Sequence, residues 1–234
     1  MFNHVKVEYE LPELNRHMEN GERVYYDDEG NRYESTTNVV GFLDRSSIIQ
    51  WRDRVGEAVA DNITERATTL GTKLHNSVEL YLKNEITTEK NIFANTHLDN
   101  LKPLLNNINN IKGLEVRLCS KTLGLAGTAD CIAEYNGVPS IIDFKTAGKK
   151  KRVEWIKKYF MQTTAYSLMW EELTGEKIDQ IVILMTVEEG GRVEFIKQRE
   201  DYVTDLNEII ELFKVGGSLI SCLLYTSPSP RDRG

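Results

Sequence analysis

The sequence predicts an α/β domain: a central mixed sheet flanked by helices, with a helical region ahead of the sheet. Three observations carry this. Apolar residues recur at helical spacing from about residue 46 to residue 111. The period then drops to two over residues 114–120, 125–135 and 140–146. A helical stretch, a second pair of strands and a last helix follow, so helices can cover the sheet.

The elements follow in order. Residues 1–22 show no clear pattern. Residues 23–35 read as a hairpin that turns at Asp27-Asp-Glu-Gly-Asn31. Ser46 or Ser47 caps a helix expected to run to about Ala67, with Ile48, Trp51, Val55, Val59 and Ile63 on its apolar side. A second helix is expected over about 72–84, burying Leu74, Val78, Tyr81 and Leu82. Leu101, Leu104, Leu105, Ile108 and Ile111 suggest a third, starting near Asn100 because Pro103 suits a first turn. In the strand at 114–120, Leu114, Val116 and Leu118 take one side and Glu115, Arg117 and Cys119 the other. Asn136-Gly137 turns the chain between the next two strands. Residues 153–173 form a long helix stopped by Gly175. Residues 178–187 and 192–198 form a hairpin across Gly190-Gly191, and Asp201 or Thr204 opens a last helix to about Lys214.

At 234 residues, one domain is expected. It spans 23–216, with a helical part at 44–112 and the sheet-bearing core at 113–216. Residues 1–22 form a separate N-terminal segment. Residues 217–234 turn to Ser, Pro and Arg without periodicity, and 222–232 resembles translated sequencing-adapter sequence, so the fold is expected to stop before them.

Charge narrows the function classes. The net charge of −7 argues against a protein that coats nucleic acid over its whole surface. Yet Lys145, Lys149, Lys150, Lys151, Arg152, Lys157 and Lys158 lie within 14 residues that hold one acid, Glu154. Such a local track suits phosphate. No run approaches the roughly 18 apolar residues of a membrane span. The N-terminus lacks a signal-peptide pattern, and Cys119, Cys131 and Cys222 have neither metal-ligand nor disulfide-framework spacing, so a reducing cytoplasm is expected.

Residues 127–145 carry the chemistry. Asp143 and Lys145 share one side of a strand while Ile142 and Phe144 point into a core. Asp143 follows Ile141-Ile142, and a buried carboxylate is costly unless paired or metal-bound. Glu115, Asp130 and Asp143 are candidate ligands for a hard cation such as Mg²⁺. Lys145 can reach the same water or phosphate. His75 and Glu79 share a helix face, as do Gln162 and Tyr166, which fall in a stripe with Trp155, Tyr159 and Met169. Trp155, Tyr159 and Tyr166 are candidates to stack bases.

Gly71-x-x-x-His75, Glu115, Gly127-Thr-Ala-Asp130, Asp143-Phe-Lys-Thr146 and Gln162-x-x-x-Tyr166 together resemble the RecB-like branch of the PD-(D/E)XK nuclease superfamily. The usual Pro-Asp is here Ala129-Asp130. Tyr33-Glu-Ser-Thr-Thr-Asn-Val-Val40, Trp51-Arg-Asp-Arg-Val-Gly-Glu57, Ala60-Asp-Asn-Ile63 and Thr69-Leu-Gly-Thr-Lys-Leu-His75 are similar to bacteriophage exonucleases related to the mitochondrial genome maintenance exonuclease. That resemblance covers about 23–215. It implies a restriction-endonuclease-like fold and Mg²⁺-dependent hydrolysis of DNA from its ends, with single strands preferred and Mn²⁺ as a substitute ion. It implies that His75 joins Glu115, Asp130 and Asp143 at the metal, and that Lys145, Gln162 and Tyr166 complete the catalytic set. Lys149 to Arg152, Lys157 and Lys158 would hold DNA, and Arg52 and Arg54 would line its passage beside Trp51. Phage replication or recombination proteins are the implied partners, in the host cytoplasm. An iron–sulfur cluster is not expected, because Cys119 and Cys131 cannot supply four thiolates. The alternatives are a structure-specific endonuclease or junction resolvase on the same fold, and a non-catalytic DNA-binding module.

Overall fold

The computed structural model describes residues 1–86 and 89–226, with side chains to residue 216. The chain opens with a meander of β1 (Asn15–Glu19), β2 (Glu22–Tyr26) and β3 (Arg32–Ser35). The hairpin at 23–35 is therefore present, but β1 lies in the segment that shows no sequence pattern. Four of its five residues are exposed, so it carries no apolar alternation. Its one signal is Asn20-Gly21, with φ of 51° and 80°, a turn that suits a tight hairpin.

Helices α1 (Thr36–Val40), α2 (Arg45–Val55), α3 (Glu57–Leu82) and α4 (Ile92–Leu105) follow. The break between α2 and α3 falls at Gly56, not near Ala67. Gly56 has φ 87° and ψ 144°, a conformation closed to side-chain-bearing residues at ordinary cost. Gly71, in contrast, is carried inside α3. Ile48, Val59 and Ile63, expected on a buried face, are exposed. Helix α4 starts eight residues before the expected Asn100, capped by the Asn91 side chain accepting from the Ala94 N–H. Pro103 thus sits in the last turn rather than the first. Burial of Leu98, Leu101 and Leu105 overrides its helix-breaking preference, at roughly 1.5–3 kcal/mol for each such side chain.

The remaining elements are β4 (Ile108–Ser120), β5 (Leu125–Tyr135), β6 (Val138–Ala147), a 3₁₀ turn (Val153–Ile156), α5 (Lys157–Thr174), β7 (Gln180–Val187), β8 (Arg192–Gln198) and α6 (Glu200–Thr226). Ile108 and Ile111 belong to β4, not to a helix. The backbone of α6 continues beyond the expected end at Lys214, and 227–234 lie outside the described residues.

The eight strands form one mixed sheet. Strands β6 and β7 run parallel from Ser140↔Gln180 to Ala147↔Val187, whereas β4–β5, β5–β6 and β7–β8 are antiparallel. Helices cover both faces. Leu74 and Val78 of α3 and Leu98 and Leu101 of α4 pack with Cys131, Ile142 and Phe144 on one face. Ala165 and Met169 of α5 and Leu206 and Ile209 of α6 pack with Leu118, Ala129 and Ile141 on the other.

One irregularity shapes the sheet. Strand β5 pairs along one edge with β4. Its other edge pairs with β6 only from Tyr135↔Val138 to Cys131↔Ile142, and with β3 only at Leu125 and Ala126. Between those two contacts, at residues 127–130, the sheet forks. Side-chain alternation breaks at the same level: Ala129 packs toward α5, yet Cys131 packs toward α3 and α4.

Gly127 lies in the fork. A Cβ there would meet the Tyr166 ring at 2.7 Å. Gly127→Ala is expected to lower stability by about 1–3 kcal/mol in urea unfolding, through overpacking of a buried ring. Adding Tyr166→Leu should recover most of that loss. An alanine variant as stable as the parent would show that the ring does not press on this strand.

Candidate active site

Five elements of the fold meet at the fork. Helix α3 brings His75, β4 brings Glu115, β5 Asp130, β6 Asp143 and Lys145, and α5 Gln162 and Tyr166. Every predicted catalytic residue therefore reaches the same region, by way of different elements.

Glu115 is positioned by strain. Its φ is 51°, an unusual value for a residue with a side chain. Leu114 consequently packs toward the α3–α4 face while Val116 packs toward α5. The regular alternation expected over 114–120 is broken at the acid itself, and holding such a backbone costs of order 1–3 kcal/mol. Asp130 is positioned by the fork. Past Cys131↔Ile142 the ladder is open, and the Phe144 N–H donates to Asp130 Oδ2 at 2.8 Å instead. The carboxylate fills a backbone vacancy that would otherwise leave a buried donor unpaired.

His75 Nδ1 lies 3.5 Å from Asp130 Oδ2 and 3.8 Å from Glu115 Oε1. One ligand-type atom from each of these three residues lies within 4.8 Å of the others. Asp143 sits deeper, 1% exposed, and outside that triad. Its Oδ1 accepts from Gln162 Nε2 at 3.1 Å, and its Oδ2 lies 2.5 Å from Lys145 Nζ without hydrogen-bond geometry. Gln162 Nε2 also donates to the Tyr166 hydroxyl at 3.3 Å. The Lys145 ammonium lies 5.2 Å from the Tyr159 ring centre, a cation–π contact.

The charges are mutually tuned. Burial raises the Asp143 carboxyl to about 6, against the pull of the Lys145 ammonium. Burial would lower His75, but the Asp130 and Glu115 carboxylates outweigh it and push the imidazole up to about 9. Burial would also lower Lys145, and Asp143 and Asp130 again reverse the sign and raise it. Tyr166 is raised by burial, with Asp143 adding to it. Three carboxylates thus face two cations.

The donor set fits a hard divalent ion. Glu115 and Asp130 offer oxygens at ligand spacing, and the buried Asp143 Oδ2, which accepts no hydrogen bond, is a third. His75 would have to lose its proton to coordinate, and imidazole suits Mn²⁺ and later metals better than Mg²⁺. A cavity of about 340 Å³ opens over the site, lined by Thr37, Gly41 and Gly71 on one side and Thr146, Lys158 and Tyr159 on the other. Thr37 belongs to the Tyr33–Val40 stretch that carries the resemblance, but its place at the cavity depends on the turn from β3 into α1 and is not readable from residue pattern. A larger hollow of about 700 Å³ lies near the N-terminus among Asn84, Asn106, Asn107 and Asn109, away from these groups.

The predicted DNA contacts divide. Lys149, Lys150, Lys151 and Arg152 are exposed, and none makes an ion pair among the described residues. Lys157 pairs with Asp205 at 2.7 Å, Lys158 with Asp44 at 2.5 Å, and Arg52 with Asp61 at 2.6 Å. Arg54 is exposed. Tyr166 is buried against Gly127, so the idea that it stacks a base does not hold.

These groups define a candidate metal centre. No family model matches the chain. Over 109 residues, 44% of this chain, the sequence is 27% identical to mitochondrial genome maintenance exonuclease 1 of Homo sapiens. The match spans 32% of that protein, so the chain corresponds to about a third of the relative's length. A solved protein described as an exonuclease from Eubacterium rectale aligns with a TM-score of 0.46 at 17% identity, over 62% of this chain and 64% of that one. The structure of SSO0001 aligns with a TM-score of 0.40 at 16% identity, over 76% and 75%. Neither structural likeness is close enough to define the chemistry.

The charge tuning predicts how the metal-free protein responds to pH. Protonated His75 stabilises the fold fully below its ordinary 6.5, and that contribution is lost as pH rises through about 9. Asp143 acts in the same direction lower down, its ionisation costing stability as pH rises from 3.8 through about 6. Melting temperature in EDTA should therefore fall between pH 6.5 and 9, and His75→Gln should flatten that limb. An unchanged slope in the variant would show that the imidazole is not held protonated by its carboxylates.

Proposed function

We propose that the chain hydrolyses DNA phosphodiester bonds with the help of a divalent cation, working from strand ends. The observation that carries this reading is the convergence of Glu115, Asp130, Asp143, Lys145 and His75 at one fork in the sheet. Sequence similarity to an exonuclease over 109 residues supports it. Glu115, Asp130 and Asp143 would hold the ion, Mg²⁺ by the hardness of the oxygens or Mn²⁺ in its place, with His75 as a further donor once neutral. When bound, the ion neutralises phosphate charge and makes water nucleophilic near neutral pH.

The chain's own groups do the rest. Lys145 donates hydrogen bonds to the attacking water and to the phosphate oxygens that gain charge. Asp143 and Tyr159 hold that ammonium in place. Gln162 fixes the Asp143 carboxylate, and Tyr166 fixes Gln162. Protonated His75 steadies Asp130 and Glu115 before the ion arrives. The cavity of about 340 Å³ borders His75, Lys145 and Gln162 and gives a substrate access to them, and the preference for single strands rests on sequence resemblance. Among the described residues no helix is long and apolar enough to cross a membrane. Phage replication or recombination as the setting, the proteins of that process as partners, and the host cytoplasm as the place rest on sequence resemblance.

Asp143→Asn and Lys145→Ala should each reduce Mg²⁺-dependent cleavage of labelled linear single strands by about 10²–10³-fold or more. Both should keep the circular-dichroism spectrum of the parent. Near-parental cleavage by either would remove the site assignment. Closed single-stranded circles should survive a digestion that consumes the linear form, and their loss would make the enzyme an endonuclease.

A further inference from the structure

Trp155 is the largest side chain left open to solvent in the basic segment, 62% exposed. The fold does not require it there. Its neighbour Ile156 anchors the 3₁₀ turn in the core with Phe160 and Ile181. The Trp155 N–H donates to the Arg152 carbonyl at 3.1 Å, which ties the two residues into one turn. The Arg152 guanidinium lies 5.4 Å from the centre of the indole. A cation is thus placed on the ring while much of the indole stays in water.

The surroundings select a ligand. Lys149, Lys150 and Lys151 precede this turn, exposed and without ion pairs among the described residues. Free ammonium groups give themselves to phosphate at lower cost than Lys157 or Lys158, which must first leave Asp205 or Asp44. The segment starts at Lys145, so the Lys149 Cα lies within about 14 Å of the Lys145 Cα by chain length alone. An open aromatic face, a cation beside it and unpaired cations next to a phosphate-cleaving centre match a polynucleotide whose bases are unpaired. In a duplex interior both faces of each base are already stacked.

We infer that Trp155 and Arg152 form a stacking platform for an unpaired base of the strand whose phosphate is held at Lys145, with Lys149, Lys150 and Lys151 holding the adjoining backbone. This rests on the nuclease reading of the cleft and names the residues that hold the strand beyond the phosphate at Lys145. Trp155 selects and positions the strand, and Tyr159, half-buried beside Lys145, does not substitute for it.

The test is binding without cleavage. Affinity for a fluorescein-labelled oligo(dT) and for a labelled blunt-ended duplex of the same length is measured in EDTA by anisotropy, with full-length protein. Trp155→Ala should weaken single-strand binding by about 10–100-fold and duplex binding by about twofold or less. Trp155→Phe should recover most of the loss. Replacing Lys149, Lys150 and Lys151 by Gln should make the logarithmic salt slope shallower by about 2 for the single strand. Unchanged single-strand affinity in Trp155→Ala, or equal weakening of both ligands, overturns the platform. Separate Mg²⁺ digestion distinguishes the two ideas. Cleavage without dependence on Trp155 removes the platform and leaves the nuclease. Trp155-dependent binding without cleavage does the reverse.

Discussion

The fork between β5 and β6 is the constraint on which the site depends. Backbone pairing stops after Cys131↔Ile142, and the next free amide, that of Phe144, is taken by the Asp130 carboxylate. An orphaned buried N–H costs about as much as a lost hydrogen bond, so the acid is doing structural work before any ligand binds. The same carboxylate oxygen faces His75. Opening the sheet here also frees residues 127–130 from a second neighbour and leaves room for Gly127 to receive the Tyr166 ring. Asp130 is accordingly a poor position at which to separate chemistry from folding. Asp143 and Lys145, on a strand fully paired with β7, separate them better.

Around the fork the charges are arranged to coexist without an ion. Two cations stand among three carboxylates, and burial raises the Asp143 carboxyl to about 6. The Lys145 ammonium is held by Asp143 and the Tyr159 ring together. Placing a dication here would repay the electrostatic cost that burial imposes on the acids, and would tend to displace the proton from His75. The strained φ at Glu115 belongs to the same arrangement, because it turns that acid out of the regular alternation toward the others. Strain, a broken ladder and crowded acids are each unfavourable for stability alone, and their coincidence at one place is what marks the place as a site.

Legibility in the sequence follows from these causes. The pair Asp143 and Lys145 could be read because β6 keeps a strict period of two and Asn136-Gly137 announces its turn. The sheet and its flanking helices could be read for the same reason. Glu115 was found as a residue but its geometry was not, since nothing in a glutamate signals a left-handed backbone. The helices were blurred by glycine: Gly71 sits inside α3 while Gly56 ends α2, and only the backbone angles tell the two apart. Pro103 misled because burial of its leucine neighbours outweighed its own preference. Strand β1 is a polar edge strand without the alternation that a half-buried strand carries.

The basic residues differ more in the fold than their sequence run implies. Seven basic residues between Lys145 and Lys158 read as one track, but the fold divides them by partner. Lys145 is committed to the acids, Lys157 and Lys158 to Asp205 and Asp44, and Arg152 to the Trp155 ring, which leaves Lys149, Lys150 and Lys151 without an ion pair among the described residues. A salt-bridged lysine must break its pair before it can hold phosphate, so its contribution to binding is a difference between two attractions. The three lysines contribute close to their full attraction, and in sequence they lie between Lys145 and an exposed indole that Arg152 already touches. A chain of net charge −7 can therefore still present one local surface that attracts phosphate.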